Sequence, residues 1–199
     1  MDNYVYIVAG LPELTLAFEQ SGFKYETVRD HIYPLLSERD RQTIDLMEES
    51  FHDETLNADF YQKTAAHTNR FLREYFHFDL LVRNMKVRYL GRRLNQQVDK
   101  YLIHTDDGEF EEEKQVQDIF DNPDIVLREQ QLDRLRWNKA SEITCFDYFD
   151  LDIILAFLIK ASIIQRWAAM DQEHGSEMFA TLVKEVEGTF EDIQFEQKK

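Results

Sequence analysis

The longest run of hydrophobic residues in the chain covers residues 151–170, near the C-terminal end of the sequence. Its few polar members are Asp152, Lys160, Ser162, Gln165 and Arg166. A helix formed here would be apolar on almost every side, and such helices are buried in protein. The run is too long for a strand, and its charged residues leave it short of the roughly 20 apolar residues of a membrane span. With Asp150 as N-cap, the pattern predicts a central core helix.

Shorter amphipathic segments are spread along the N-terminal third of the chain. A helical pattern begins at Tyr25, and Ser37 with Asp40 three residues later is typical of a helix N-cap. Residues 4–9 are hydrophobic but too few to show a period, so either a short strand or a helical turn fits them.

The middle of the chain predicts two long helices. One begins at Leu56 and ends near Phe76, and Asp79 is placed to cap the next, which runs to about residue 103. Both carry apolar residues at helical spacing, with basic and amide side chains left for solvent.

Two further helices are predicted toward the C-terminal side. Asn122 suits a cap and Pro123 the first helical position, so a helix is expected from there toward Trp137, continued by Ile125, Val126, Leu132 and Leu135. After a break at 175, apolar residues predict a last amphipathic helix that ends near 188. These residues are Phe179, Leu182, Val183 and Val186.

The elements together indicate an all-α protein, a helical bundle with a buried central helix. Three prolines and six glycines in 199 residues agree with a helical chain. The acidic segment 105–114 predicts either a solvated loop or the start of a helix, within a single domain or between two lobes of about 1–105 and 115–199. Segments 75–81 and 146–152 share two aromatics three apart and then Asp-Leu, which indicates either duplicated helical units or coincidence.

Charge narrows the possible partners. Lysine and arginine number 23 against 39 acidic residues, and the net charge of -16 argues against binding nucleic acid through its phosphates. Cys145 is the only cysteine, so no intramolecular disulfide can form, which fits a reducing compartment. The N-terminal segment has an acidic residue at position 2 and a short apolar run, unlike a signal peptide or an anchor. We therefore expect no direct membrane insertion.

Candidate catalytic and metal-binding groups are sparse. The sequence has no phosphate-binding glycine loop. Glu74 and His77 have the Glu-x-x-His spacing of di-iron bundles, with a near variant at Asp171 and His174, but both pairs fall at predicted helix ends. We therefore expect no metal or other cofactor, and the alternative function is a helical metal-dependent oxidoreductase using Glu74 and His77. Cys145, in an apolar and acidic setting, is predicted as a packing residue rather than a nucleophile.

One basic segment interrupts the acidic chain. Its members are Arg70, Arg73, Arg83, Lys86, Arg88, Arg92 and Arg93. They could form an internal salt-bridge face opposite the acidic residues 106–113. They could also form a docking face for an acidic protein surface, since charge complementarity selects partners. The docking residues predicted are Arg83, Lys86, Arg88, Arg92 and Arg93.

Two segments resemble the central-stalk C subunit of V-type and A-type ATPases, called d in eukaryotes. In residues 78–93, Asp79, Asn84, Lys86 and Arg88 are similar to that family's aspartate, asparagine, lysine and arginine helix, with one extra residue between Asp79 and Asn84. Residues 146–186 resemble its terminal pattern of aromatic-Asp segment, apolar helix, Arg-Trp and last helix. The opening residues 3–14 look like an uncharacterised bacterial family typically encoded beside V-type ATPase subunits.

The resemblance implies a non-catalytic coupling role. In that family the subunit sits on the cytoplasmic face of the membrane ring and receives the foot of the rotating shaft. The expected partners are therefore V-type ATPase rotor-shaft and membrane-ring subunits, with the protein peripheral to the membrane. A third alternative is an acidic helical adaptor unrelated to the ATPase.

Overall fold

The computed structural model describes residues 4–16, 24–52, 54–104 and 110–169. Within these ranges the chain forms eight α-helices and no strand, which confirms the all-α class. The helices are α1 (Val5–Ala9), α2 (Tyr25–Ile32), α3 (Glu38–Glu48), α4 (Ala58–Ala65), α5 (Arg70–Leu94), α6 (Glu113–Asp121), α7 (Ile125–Ile143) and α8 (Leu151–Ala169). The last predicted helix, at 176–188, lies outside the described residues.

The prediction of a buried central helix is confirmed by α8. This helix packs against α2, α3, α5 and α7. Asp150 caps it, because its Oδ1 accepts a hydrogen bond from the backbone N–H of Ile153 at 3.3 Å. In the described part of the chain, no helix combines the length and the apolar character that crossing a bilayer requires.

The polar residues of α8 bind to its neighbours. Asp152 accepts a hydrogen bond from Asn69 Nδ2 at 2.5 Å, and Gln165 accepts one from the Tyr25 backbone N–H at 3.0 Å. The Lys160 ammonium lies 5.4 Å from the centre of the Trp137 ring. These contacts fix the helix against α5, α2 and α7, so the polar residues position the surrounding helices.

Residues 4–9 form a helical turn rather than a strand. The Tyr4 backbone N–H donates to the Phe149 carbonyl at 2.9 Å, and the Tyr4 hydroxyl donates to Asp40. The predicted cap at Ser37 is present, because its hydroxyl accepts from the Asp40 backbone N–H at 3.3 Å. The N-terminal turn is therefore attached both to the start of α3 and to the loop before α8.

The predicted boundary between helices near Phe76 is wrong. The break falls at residues 66–69, where Asn69 Oδ1 accepts from the Leu72 backbone N–H at 2.9 Å and caps α5. α5 then continues through Phe76 and Asp79 to Leu94, short of the predicted end at 103. Asp79 is buried in mid-helix rather than at a cap, because side chains from other helices satisfy its carboxylate.

Two predictions around α7 are also corrected. The N-cap is Asp124, whose Oδ1 accepts from the Leu127 backbone N–H at 3.0 Å, and Asn122 instead accepts from the Asp124 N–H. Ile125 and Val126 are 64% and 57% exposed because the first turn of α7 extends beyond the core, whereas Leu132 and Leu135 further along the helix are buried. Cys145 is exposed in the loop after α7, so its prediction as a packing residue is wrong.

Two hydrophobic clusters form the core. The larger cluster contains residues from α1 to α5, the end of α7 and α8. The smaller cluster joins α5, α6 and α7 through residues such as Phe78, Val116, Phe120 and Leu132. α5 and α7 belong to both clusters. The division between the clusters therefore does not follow the chain positions 105–115 at which two lobes were expected to meet.

The two similar segments adopt different structures. Residues 75–81 lie inside α5, whereas residues 146–152 span a loop and the first turn of α8. The shared Asp is buried in the first segment and is a helix cap in the second. The local structure therefore gives no support for duplicated units at these positions.

Candidate protein-binding surface

A buried polar network joins four helices, including the helix α5 that carries the predicted docking residues. Asp133, which is 1% exposed, accepts from Arg136 at 3.3 Å, from the Trp167 indole N–H at 2.6 Å and from Arg166. Arg136 also donates to Asp79 at 3.1 Å, and the Tyr61 hydroxyl donates to the other oxygen of Asp79 at 2.8 Å. The network connects α4, α5, α7 and α8.

The charges of this network compensate each other. Burial disfavours the charged form of Arg136, but the carboxylates of Asp79 and Asp133 outweigh it and raise the pKa of Arg136 above its ordinary value. Burial and the nearby Asp79 charge raise the pKa of Tyr61, so its hydroxyl remains a donor. Among the described residues, every buried side-chain nitrogen and oxygen has a partner. The geometry is therefore that of a structural anchor.

The network also forms one wall of a cleft between α2 and α8, with a cavity volume of about 740 Å³. Arg29, on another wall, donates to Glu48 at 3.1 Å. Arg136 and Arg166 pair with Asp79 and Asp133 as above. Since each arginine of this cleft already has a carboxylate, the cleft offers no uncompensated positive charge to a ligand.

Two more residues that carry the resemblance have structural roles. Asn84, buried in α5, donates to the Ile103 carbonyl at 2.8 Å and accepts from the Ile103 N–H at 3.2 Å, which attaches the segment after α5 to the helix. Lys86 donates to Glu129 of α7 at 3.0 Å. Burial opposes ionisation of Glu129, but Lys86 outweighs it and lowers the pKa of that carboxyl.

The five predicted docking residues divide into two groups. Arg83 donates to the Leu56 carbonyl at 2.9 Å and lies over the Tyr61 ring, and Lys86 is paired with Glu129. These two are half-buried in contacts inside the protein. Arg88, Arg92 and Arg93 are exposed on the last two turns of α5. The docking prediction itself stays a prediction, but its accessible part is the C-terminal end of α5.

None of the three exposed arginines is paired with a carboxylate among the described residues. Arg92 donates to the neutral amide of Gln117 at 3.2 Å, and Arg93 donates to the Tyr89 hydroxyl at 2.9 Å. Arg88 makes no hydrogen bond or ion pair within the described ranges. Their charges are therefore available to a partner.

The end of α5 is shaped by a fold-back of the chain. Asn95 has a left-handed conformation, with φ of 51°, and the Gln96 N–H returns to the Gly91 carbonyl at 3.0 Å, a Schellman arrangement. Val98 then lies over Gly91, where an added Cβ would be 2.5 Å from its Cγ1. Glycine at 91 therefore lets the chain cross the helix at close range.

This fold-back encloses a groove between the end of α5 and the start of α6. Its cavity volume is about 650 Å³. Arg88 and Arg92 line one side and Gln117 and Glu113 of α6 line another, with the fold-back residues completing it. We call this feature the α5–α6 groove.

The other basic residues and the candidate metal ligands Glu74 and His77 lie in the N-terminal half of α5, and Asp171 and His174 lie outside the described residues. Arg70 pairs with Asp147 and Asp152, and Arg73 donates to the His67 and Thr68 carbonyls at 2.8 Å. Glu74 and His77 are both exposed within α5, not at its ends as predicted. In the described part of the chain, no group of three or more potential ligands is placed to hold a metal.

Glu112 belongs to the acidic residues 106–113, which were the alternative partners of the basic segment in an internal salt-bridge face. This carboxylate binds Lys139 of α7 at 2.7 Å rather than a member of the basic segment. Residues 105–109 lie outside the described ranges.

Sequence reasoning missed the most connected residue of this region, Asp133. The available signal was an aspartate at a position where α7 is otherwise apolar on its inner side, between Leu132 and Leu135. Gln117 was missed because only the folded chain brings it beside Arg92, and the role of Gly91 was missed because it depends on the close approach of Val98 in the folded chain.

Comparison with known proteins identifies the family. A family model described as "Protein of unknown function (DUF2764)" matches residues 1–56 and 47–189, which is most of the chain. No curated protein and no solved structure matches the sequence. The chain therefore belongs to the DUF2764 family.

Proposed function

We propose that this protein is a non-catalytic accessory subunit of a V-type rotary ATPase. In this proposal it lies at the cytoplasmic face of the membrane ring and contacts rotor-shaft and ring subunits during ion transport. The observation that carries the proposal is the likeness of residues 78–93 and 146–186 to the central-stalk C subunit, together with the way α7 links these two segments.

The matching residues form one framework. Asp79 of the first segment binds Arg136, which binds Asp133. Asp133 in turn binds Arg166 and Trp167, the Arg-Trp pair of the second segment. Residues of both segments that resemble the family are thus linked through Arg136 and Asp133 of α7, as expected for a subunit whose shape transmits force.

The accessible end of α5 supplies the contact surface. No acidic residue occurs between Asp79 and Asp99, whereas five basic residues do, in a chain with a net charge of -16. A local basic face on an acidic protein favours an acidic partner surface and raises the rate of its encounter.

Co-purification tests the proposal. The protein, tagged and expressed at its natural level, should recover shaft and ring subunits of the ATPase from membranes solubilised in mild detergent. Recovery of none of these subunits, with the tagged protein intact, would overturn the assignment.

Charge reversal tests the surface. Replacing Arg88, Arg92 and Arg93 by glutamate should reduce recovery of the partner subunits at least about tenfold, because attraction becomes repulsion. The matched control reverses Arg39, Lys63 and Arg73, three exposed residues on α3, α4 and the start of α5, and changes the net charge equally. If both triple variants reduce recovery alike, the α5 end is not the contact.

A further inference from the structure

We infer that the α5–α6 groove is a binding site for the carboxylates of an acidic protein segment, with Arg88 and Arg92 as its charged contacts. This inference rests on the proposed role as a partner-binding subunit and specifies the chemistry of the partner.

The spacing of the two arginines suits a pair of carboxylates. Arg88 and Arg92 are four residues apart on α5, so their side chains lie on one face about a helical turn from each other. Both line the groove. Guanidinium groups bind carboxylates through paired N–H donors, and two such groups one turn apart can receive two carboxylates with the same spacing.

Neutral side-chain amides line the groove together with the two arginines. Gln96 and Gln97 from the fold-back, Asn95, and Gln117 of α6 all line the same groove. Their amides can donate hydrogen bonds to the remaining carboxylate oxygens. Gln117 Oε1 already accepts a hydrogen bond from Arg92 at 3.2 Å, and one N–H of its amide donates to Asp121 at 3.2 Å, which leaves its second N–H for a ligand.

The net charge of the groove lining favours a negatively charged ligand. Glu113 contributes a single carboxylate to the groove lining, so two arginines leave the lining with a net positive charge. The surrounding chain is strongly acidic. A carboxylate is therefore attracted to this position and repelled elsewhere, which selects both the partner and its place.

Contacts within the chain make the wall of the groove rigid. The groove wall is fixed by the Schellman turn at Asn95 and by the close contact of Val98 with Gly91. The next segment is held by the reciprocal hydrogen bonds between Asn84 and Ile103. A preformed site loses less entropy when it binds an extended or helical segment.

The test uses the intact chain and a synthetic helical peptide with glutamates one turn apart, labelled with a fluorophore. The same peptide with glutamines in place of the glutamates is the control ligand. Fluorescence anisotropy should detect binding of the glutamate peptide, weakened by added salt because the contact is ionic. The glutamine peptide should bind at least about tenfold more weakly.

Two variants locate the site. Arg88→Gln with Arg92→Gln should weaken glutamate-peptide binding about tenfold or more, whereas Arg39→Gln with Arg73→Gln, which lowers the charge equally, should change it little. Gln97→Trp, which fills the groove without changing charge, should also weaken binding. Circular dichroism of each variant checks that the fold is kept.

Three results of the peptide measurements would overturn the inference. They are equal binding of the two peptides, equal loss in both arginine double variants, or unchanged binding in Gln97→Trp. Tighter binding of a single-stranded DNA oligonucleotide than of the glutamate peptide would also overturn it, by indicating a site for phosphates. The assay needs no ATPase subunit, so its failure is distinct from a failure of the co-purification.

Discussion

Asp133 is the residue on which the interior of this protein depends most. It is buried and accepts from three side chains on two helices, Arg136, Arg166 and Trp167. Such a carboxylate stabilises the fold only while its donors remain, because a buried carboxylate that loses them carries an uncompensated charge.

We predict that Asp133→Asn destabilises the protein by about 3 to 5 kcal/mol, because the charge that compensates Arg136 is lost. Urea denaturation followed by circular dichroism measures the change. Asp118→Asn, at an exposed position of α6, is the control and should change stability by less than about 0.5 kcal/mol. Similar losses in the two variants would show that the network contributes no net stability.

His67 gives a second prediction at the scale of one residue. Burial first, and then the charges of Arg39 and Arg73, lower the pKa of this imidazole, whose Nδ1 accepts from the Asn69 N–H at 3.0 Å. As the pH falls through about 6.5, the unfolded chain takes up a proton that the folded chain resists, so this contribution to stability is lost on acidification.

His67→Asn should therefore reduce the decline in stability between neutral and mildly acidic pH, since asparagine can accept the same hydrogen bond without titrating. Denaturation curves at several pH values provide the measurement. His77→Gln, on the exposed side of α5, should leave the slope unchanged. A wild-type slope in His67→Asn would contradict the assignment.

Single residues also show where sequence reasoning stops. Ser37 and Asp150 were predicted as caps because the signal is local, a side-chain oxygen followed by a helical pattern. Asp79 has the same signal but lies in mid-helix, because Tyr61 and Arg136, distant in sequence, satisfy its carboxylate. A local pattern cannot distinguish these two cases.

At the scale of elements, the end of α5 depends on one close backbone crossing. A Cβ at Gly91 would lie 2.5 Å and 2.8 Å from the two γ-carbons of Val98 and 3.2 Å from the Gln96 carbonyl oxygen. Valine is stiff about χ1, so the contact can be relieved only by moving the fold-back.

We predict that Gly91→Ala destabilises the protein by roughly 1 to 3 kcal/mol, as overpacking does. This loss outweighs the helix-forming advantage of alanine, about 1 kcal/mol. The control is Gly10→Ala, where the nearest atoms to an added Cβ are at an ordinary 3.4 Å. Thermal denaturation compares them, and equal midpoints would mean that the fold-back adjusts freely.

Helix α5 also shows which features of the fold could be predicted from the sequence and which could not. Helices at α5 and α7 were predicted from the spacing of their apolar residues, and α8 from the length of its apolar run, but the start of α5 was not predicted. Asn69 is one of several polar residues between α4 and α5, and only the packed structure shows that it caps the helix. The groove could not be predicted, because it needs the relative placement of α5, α6 and the fold-back.

At the scale of the whole molecule, the two hydrophobic clusters share α5 and α7. Residues of one cluster follow those of the other along these same two helices, for example Phe76 and Phe78 in α5. We therefore expect the described helices to unfold together rather than as two independent lobes.

Phe120→Ala, in the smaller cluster, tests this cooperativity. It should lower stability by about 3 to 5 kcal/mol, and by the same amount whether unfolding is followed by circular dichroism or by the tryptophans, Trp137 and Trp167, which pack against the larger cluster. Phe146→Ala removes an 85% exposed ring and should have little effect. Separate transitions for the two signals would contradict a single cooperative unit.

The exposed position of Cys145 has a practical consequence. As the sole thiol of the chain, it allows a maleimide dye or a photo-crosslinker to be attached at one known point without any engineered cysteine. The attachment point follows α7 directly and precedes Phe149, whose carbonyl binds Tyr4. A neighbouring protein captured from this position would be mapped, by mass spectrometry, to the end of the molecule where α1 meets the loop before α8.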